Sequence, residues 1–387
     1  MSPLANTSQN LNKEEINQYD RHLSLEGFGE KNQLKLKNSS VLVVGAGGLG
    51  CPALQYLTAA GVGSIGIIDH DQVDSSNLQR QILFDHNDIG KPKSEVAATK
   101  LSRLNPFIHI SPFVEKLTKY NAEKIFSNFD LIIDGTDNFG SRYLINDACV
   151  LFGKVLIHGS IHQFEGMVSV FNFQDGPTYR CLFPEQPDAN SIPSCAEAGV
   201  LGVLPGIIGC WQATEAIKVL TGLGNPLSGK VLIYNALEQN IRTLELHALP
   251  KSKVISKLPE TSYSCSSESL LKRKEKPIEE ISEEYLKSLL DDGEDILILD
   301  VREDWERIQY SIRPSLHQPL VSLISDSIVS PINELNTQKK IVVYCKAGIR
   351  SRVACEALQS IGYKNLLNLS GGIDGWKQAF PEYNGNA

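Results

Sequence analysis

Cys345-Lys-Ala-Gly-Ile-Arg350 sets one thiol five residues before a guanidinium, with a glycine between them. Thiols attack electrophiles as thiolates, so this spacing matters only if something stabilises the anion. The run follows an apolar strand pattern, Lys340-Ile-Val-Val-Tyr344, and precedes a helical pattern over 351–361. A strand–loop–helix turn of this kind aims backbone N–H groups at the sulfur and lowers a thiol's pKa. Arg350 adds positive charge, and Lys346 can add more. The pattern predicts a thiolate or persulfide anion at neutral pH. Phosphatases built on a comparable loop carry arginine six positions after the cysteine, and here that position is Ser351. The shorter loop suits sulfur rather than phosphate as cargo.

A second constellation lies far upstream. Gly45-x-Gly47-x-x-Gly50 follows the run Ser40-Val-Leu-Val-Val44 and opens a helical stretch, and Asp69 ends the next strand pattern. This is the dinucleotide-fold arrangement: glycines admit phosphate close to the backbone, a helix N-terminus supplies N–H groups, and the acid accepts ribose hydroxyls. A nicotinamide-dependent dehydrogenase would show the same elements. Ser76-Asn-Leu-Gln-Arg80-Gln81, Lys91-Pro-Lys93 and Asp134-Gly-Thr-Asp137-Asn138, with Arg142 beyond, are more discriminating. Extra cations and an acid around the phosphates suit ATP with magnesium. Arg80 and Lys93 can neutralise the β- and γ-phosphates, and Asp137 can hold Mg²⁺ through carboxylate oxygen.

These groups need two α/β scaffolds. Strands are expected at 40–44, 64–68, 107–114, 131–133, 155–158, 167–171, 231–234 and 241–246, with a long apolar helix over 201–220. The fold expected of residues 1–249 is Rossmann-like, with a central, mostly parallel sheet. The stretch 250–276 is rich in Ser, Lys and Pro and reads as a linker. A flexible coil of about 25 residues spans roughly 25–30 Å, and tethering gives an effective concentration on the order of millimolar. Residues 277–387 form a smaller α/β unit, with strands at 295–300, 340–344 and 365–369 and a last helix opening at Gly375-Trp376. No internal repeat is visible.

The 387 residues carry a net charge of −8 and are 42% hydrophobic. Acidity argues against nucleic acid as the main partner, because phosphate binding needs clustered Lys and Arg. The first residues lack the pattern of a signal peptide, and no window reaches the roughly 18 apolar residues of a membrane span. The expectation is a cytoplasmic protein with no membrane partner. Eight cysteines, with no C-x-x-C pair, do not make a disulfide scaffold. Most are expected to be small buried hydrophobes.

Residues from about 15 to 247 resemble the MoeB/ThiF family, relatives of ubiquitin-activating enzymes. The matching stretches are Tyr19-Asp-Arg21-His22, Gly45-Ala-Gly-Gly-Leu-Gly50, Asp69-x-Asp71, the Ser76–Gln81, Lys91–Lys93 and Asp134–Asn138 runs quoted above, and Cys195-Ala-Glu-Ala-Gly-Val-Leu-Gly202. The resemblance implies ATP-dependent adenylylation of the C-terminal glycine of a ubiquitin-like sulfur-carrier protein ending in Gly-Gly. It implies nucleotide and Mg²⁺ contacts from Gly48, Asp69, Ser76, Asn77, Leu78, Gln79, Arg80, Lys93, Asp137 and Asn138. It also implies a homodimer in which Arg21 reaches the partner's ATP site. Cys195 is open between a covalent intermediate with the activated carrier and a loop cysteine of no consequence. One departure stands out. The family commonly carries two C-x-x-C pairs binding zinc, whereas this chain has Thr178-Tyr-Arg-Cys181 at the first pair and no cysteine near 250–254. One cysteine cannot supply a tetrahedral site, so zinc is expected to be absent.

Residues 277–380 resemble rhodanese domains through Asp300-Val-Arg302-Glu303, the Cys345–Ser351 loop and Gly371-Gly-Ile-x-Gly-Trp376. The resemblance makes Cys345 a persulfide carrier supplied by a persulfide or thiosulfate donor, with Arg302 as loop support. Arg313-Pro-Ser-Leu-His317 matches the family's His-x-Pro-Gly-Ala stretch poorly. The fusion is similar to bifunctional adenylyltransferase–sulfurtransferases of molybdenum-cofactor and thiolation pathways. The molybdopterin-synthase small subunit is the expected carrier, with thiamine and tRNA-thiolation carriers as alternatives. A dehydrogenase with an appended sulfur domain, a conjugating enzyme with a thioester on Cys195 and a non-catalytic scaffold are the rivals.

Overall fold

A computed structural model describes residues 10–186, 199–258, 278–324 and 337–383. These divide into two compact units, 10–186 with 199–258 and 278–324 with 337–383.

The first unit is built on an eight-stranded sheet. Its strands are β1 (Ser40–Val44), β2 (Ser64–Ile68), β3 (His109–Phe113), β4 (Leu131–Asp134), β5 (Val155–His162), β6 (Glu165–Phe171), β7 (Lys230–Asn235) and β8 (Asn240–Glu245). Their spatial order is β3-β2-β1-β4-β5-β6-β7-β8. The first five run parallel, and β6 to β8 continue antiparallel. Continuous apolar runs such as Val41–Val44 and Leu131–Ile133 are buried on both faces, as a helix-covered parallel sheet requires. The Gly50–Ala60 helix and the Val203–Thr221 helix pack against each other over this sheet. From β1 the chain first winds outward to β2 and β3, then returns to lay β4 on the other side of β1. That reversal opens a crevice beyond the C-terminal ends of β1 and β4, where open α/β sheets bind ligands.

The second unit has five parallel strands: β9 (Glu279–Ile281), β10 (Ile296–Asp300), β11 (Leu316–His317), β12 (Lys340–Tyr344) and β13 (Leu366–Leu369). Their order is β11-β10-β12-β13-β9, so β12 is central. Cys345 is the first residue beyond its C-terminal end. Trp376, 0% exposed, anchors one side of the core against Ile281, Leu286 and Leu369.

Three expectations need correction. The strand expected over 107–114 is confined to His109–Phe113. The last helix is Gly372–Ala379 and starts three residues before Gly375, because its glycines pack tightly rather than break the helix. The linker does not begin at 250. Pro250–Lys253 forms a 3-10 turn, Ser252 is buried, and Leu258 packs on the first unit's core. Residues 259–277 lie outside the described residues, as do Cys195 and Cys265.

Candidate functional site

At the mouth of the first crevice the two glycine turns touch. Gly45 has φ +94°, and a Cβ there would sit 2.9 Å from the Gly135 carbonyl oxygen. Only glycine suits both the left-handed backbone and the close approach. The Gly45–Gly50 turn is thereby laid against the Asp134–Asn138 turn. Asp69 pins it from the other side. One Asp69 oxygen accepts the Ala46 N–H at 2.7 Å, and the other accepts the Asp71 N–H at 2.8 Å. Burial lifts the Asp69 carboxyl above the ordinary value, against these bonds and the Lys93 charge.

Arg80 packs over the turn. Its Cγ would lie 3.5 Å from a Cβ on Gly48, beside Pro205 of the long helix, and it donates to the Ser76 carbonyl at 3.1 Å. Lys93, 7% exposed at its side chain, pairs with exposed Asp71 at 3.1 Å. Asp137 is exposed at the end of β4, while Asn138 uses its side chain to cap the Phe139–Leu151 helix through the Ser141 N–H at 2.9 Å. Gln79 abuts Gly202 at the head of the long helix. The structure therefore gathers Gly48, Asp69, Gln79, Arg80, Lys93, Asp137 and Asn138 around one crevice. Ser76 and Asn77 lie on the adjoining 3-10 turn. Leu78 turns its side chain toward the core, so only its backbone is left to face a nucleotide. Arg21 stands apart, 95% exposed at its side chain, with Asp20 at 3.7 Å.

An exposed carboxylate beside a turn that admits phosphate is a hard-oxygen donor of the kind Mg²⁺ takes together with nucleotide phosphates. Asp137 fits that group, and the ion would supply charge neutralisation on the triphosphate.

In the second unit the Cys345 loop is fastened from behind by the Gly371–Trp376 segment. Ile373 N–H donates to the Cys345 carbonyl at 2.8 Å, and Asp374 N–H to that of Lys346 at 3.1 Å. Asn368 donates to the Gly348 carbonyl at 2.9 Å. Gly348 has φ +83°, and a Cβ there would meet the Ser370 oxygen at 2.0 Å. Gly348 heads the 12-residue Ile349–Ser360 helix. Cys345 is 1% exposed, and the Ser351 hydroxyl donates to its sulfur at 3.4 Å. Ser351, which marks the absent phosphatase arginine, thus serves the sulfur itself. Lys346 is exposed.

Arg350 is not free to face the sulfur alone. Both its terminal nitrogens pair with the Glu306 carboxylate at 2.7 Å. Arg302, 3% exposed, pairs with Asp300 at 2.7 and 2.9 Å and donates to the carbonyls of Glu306 at 3.3 Å and Tyr310 at 2.7 Å. Its support of the loop passes through Glu306. Sequence reasoning assigned Glu306 no role. It lies 44 residues before its partner, and its one local signal is a second acid three residues after Glu303.

Burial would raise the Glu306 carboxyl, but the Arg350 hydrogen bonds and the Glu303 N–H outweigh it and hold the group below its usual range. A depressed carboxyl contributes stability that is complete above the unfolded value, about 4.3, and lost as pH falls through the folded value. Glu306→Gln should therefore flatten the acid side of the stability profile, which denaturant unfolding at stepped pH below about 5 would show.

A third place carries Cys181. Its sulfur lies 2.9 Å from Ser252 Oγ and accepts the N–H groups of Leu249 at 3.2 Å and Thr178 at 3.3 Å. Burial raises this thiol, but the bonds prevail and leave it below the ordinary value. One thiol, two hydroxyls and a leucine occupy the two three-residue steps, 178 to 181 and 249 to 252. That donor set does not fit tetrahedral zinc. Cys51 and Cys149 are buried with thiols pushed up, Cys51 to about 12, and behave as core.

An α/β unit with a phosphate-admitting crevice, joined to one presenting a buried thiol at a helix head, defines a nucleotide-using enzyme with a sulfur site. Comparison with known proteins places it further. The model of the ThiF family matches residues 19–255, and that of the rhodanese-like domain matches residues 282–379. MoeZ of Mycobacterium tuberculosis, a probable adenylyltransferase/sulfurtransferase, is 39% identical over 393 residues, covering 99% of this chain and 98% of that protein. The adenylyltransferase and sulfurtransferase MOCS3 of Xenopus laevis is 37% identical, covering 96% of this chain and 89% of that one. A sulfur carrier protein adenylyltransferase of Thermus thermophilus is 48% identical over 252 residues, covering 64% of this chain and 93% of its own. Escherichia coli MccB, solved with ATP, shares the fold at a TM-score of 0.54 and 23% identity, covering 63% of this chain and 74% of that one.

The chain belongs to the ThiF family and carries a C-terminal rhodanese-like domain. It is an enzyme, an adenylyltransferase and sulfurtransferase that uses ATP. No helix among the described residues is long and apolar enough to cross a membrane.

Proposed function

We propose that the chain adenylylates the C-terminal glycine of a ubiquitin-like sulfur-carrier protein and then converts it to a thiocarboxylate with sulfur carried on Cys345. The carrying observation is the buried Cys345 sulfur held at a helix head by Ser351, in the same chain as the glycine-lined crevice. The molybdopterin-synthase small subunit is the carrier we favour. Thiamine and tRNA-thiolation carriers, which share the Gly-Gly end, are the alternatives that an exchange assay separates.

In the first step a carboxylate oxygen of the carrier attacks the α-phosphorus of ATP. Pyrophosphate leaves, and an acyl-adenylate forms. Arg80, Lys93 and the backbone of the Gly45–Gly50 turn offset phosphate charge and position the nucleotide. Lys93 trades its Asp71 partner for phosphate. Asp137 holds Mg²⁺. In the second step the terminal sulfur of a Cys345 persulfide, loaded from a persulfide or thiosulfate donor, attacks the acyl carbon, and AMP leaves. The product is an acyl disulfide on Cys345. A second thiol then attacks the Cys345 sulfur, releases the thiocarboxylate and leaves a disulfide for a cellular thiol to reduce. Cys195 is our assignment for that thiol.

The first unit carries the activation and the second the sulfur. The exposure of Arg21 suits a homodimer in which it reaches the partner's nucleotide. A cytoplasmic setting suits free thiols. The test of activation is ATP–pyrophosphate exchange. It should appear only with a Gly-Gly-ended carrier, and its absence with every such carrier of the organism would sink the reading.

We further propose that the chain folds without zinc, with the Cys181 bonds holding the corner that zinc would hold. Cys181→Ala should cost about 1–3 kcal/mol in urea unfolding. A zinc chelator should leave the melting curve of the native chain in place, and a chelator-dependent fall would show that metal is needed.

A further inference from the structure

Beneath the Asp137 turn lies a buried polar pair that none of the expected nucleotide contacts includes. Asp134 ends β4, and His158 stands opposite it on β5. They are 0% and 1% exposed, with His158 Nδ1 2.9 Å from one Asp134 oxygen. The other Asp134 oxygen accepts from Thr136 twice, from the N–H at 3.0 Å and the hydroxyl at 2.7 Å. Arg142, also buried, donates to the Thr136 carbonyl at 3.3 Å. Every polar group of Thr136 is therefore held by a buried charged side chain, and the next residue is Asp137.

Burying a carboxylate is costly unless hydrogen bonds and charge answer it. Burial works to lift the Asp134 carboxyl, but His158 and Arg142 outweigh it and keep the group below its usual range. Burial also depresses His158. Its Nε2 meets no donor or acceptor among the described residues. Nδ1 is therefore the ring nitrogen that engages the protein, and it does so on the Asp134 carboxylate. Gln212 fastens the Asp134 backbone as well, donating to its carbonyl at 2.7 Å. A surface turn needs no such apparatus to stay folded. A turn that must hold one carboxylate in fixed geometry does.

We propose that His158, Asp134 and Thr136 form a positioning relay that aims the Asp137 carboxylate at the magnesium of bound MgATP. The relay rests on the assignment of Asp137 to Mg²⁺. None of the three is a catalytic residue. They act through the backbone of the turn.

The test is calorimetric binding of α,β-methylene-ATP to the full chain, once with Mg²⁺ and once with EDTA. The ratio of the two affinities reads the metal's contribution apart from turnover. Thr136→Val keeps the shape but removes the hydroxyl, and should shrink that ratio about tenfold with the EDTA affinity unchanged. Thr136→Ala should behave alike, which guards against a folding defect peculiar to valine, and Thr136→Ser should restore the native ratio. A native ratio in both Thr136→Val and Thr136→Ala, with the ratio lost in Asp137→Asn, would overturn the relay and leave the Asp137 assignment standing. A native ratio in Asp137→Asn would overturn that assignment itself.

Discussion

Replacing Cys345 by serine should abolish sulfur transfer, by about a thousandfold or more, while carrier-dependent ATP–pyrophosphate exchange continues. Serine is close in shape and can still accept from Ser351 but cannot carry a persulfide. Among the described residues of the second unit the one other thiol is Cys355. Cys355 on the following helix is buried against the core, and burial lifts its thiol far above neutral pH. Rhodanese activity with thiosulfate would fall with the carrier reaction, because both need the same sulfur. If Cys345→Ser retained thiosulfate sulfurtransfer, the assignment of the cargo atom would fail. Equal loss of pyrophosphate exchange would instead mean that the two chemistries are not separable.

The second large effect belongs to Asp300. It is 0% exposed and accepts from Arg302 on both oxygens, from the Tyr344 hydroxyl at 2.6 Å, and has Arg307 at 3.8 Å. Asp300→Ala strands a buried guanidinium, which costs on the order of 3–5 kcal/mol. Hydrogen exchange should rise through β10 and β12 and leave β1 to β5 protected. The double variant Asp300→Leu/Arg302→Met should recover much of the loss, since an apolar pair of similar volume needs no compensation. The single variant should also slacken the Glu306–Arg350 clamp, because Arg302 ties down the Glu306 carbonyl. Sulfur transfer should then drop even at temperatures where the unit stays folded. An unchanged urea midpoint for Asp300→Ala would show that the network adds nothing to stability.

How much of this was legible in the chain depends on how far apart the partners lie. Ser40–Val44 and Lys340–Tyr344 were readable to the residue, because β-branched apolar runs ending at a glycine or at Cys345 mark their own limits. The 107–114 strand is shorter than its apolar pattern, His109–Phe113, since Asn105 and Phe107 are drawn into a local side-chain bond instead. The helix at 372 was hidden by its own glycines, which serve close packing against Lys346 and Glu283. The stretch 250–258 looked unstructured because its anchor, Cys181, sits some 70 residues earlier in sequence.

The sites show the same division. Residues we propose to touch a ligand sit in short runs with a chemical logic of their own, and Gly48, Arg80, Lys93, Asp137 and Cys345 could all be nominated from the sequence. Residues that hold those groups were not. Glu306 answers Arg350, His158 answers Asp134, and Asp71 answers Lys93 only after the sheets assemble. No local pattern marks a carboxylate whose partner arrives from another strand. Arg350 illustrates the consequence. Its spacing from Cys345 suggested a cation devoted to sulfur, while in the fold it shares its charge with Glu306.

The most direct measurement is intact mass of a Gly-Gly-ended sulfur-carrier protein after incubation with the chain, ATP, Mg²⁺ and thiosulfate. The carrier should gain the mass difference between one sulfur and one oxygen with the native chain, and should show only the transient adenylate with Cys345→Ser. A carrier that gains sulfur equally well from both proteins, or one that is adenylylated yet never gains sulfur from the native chain, would contradict the account.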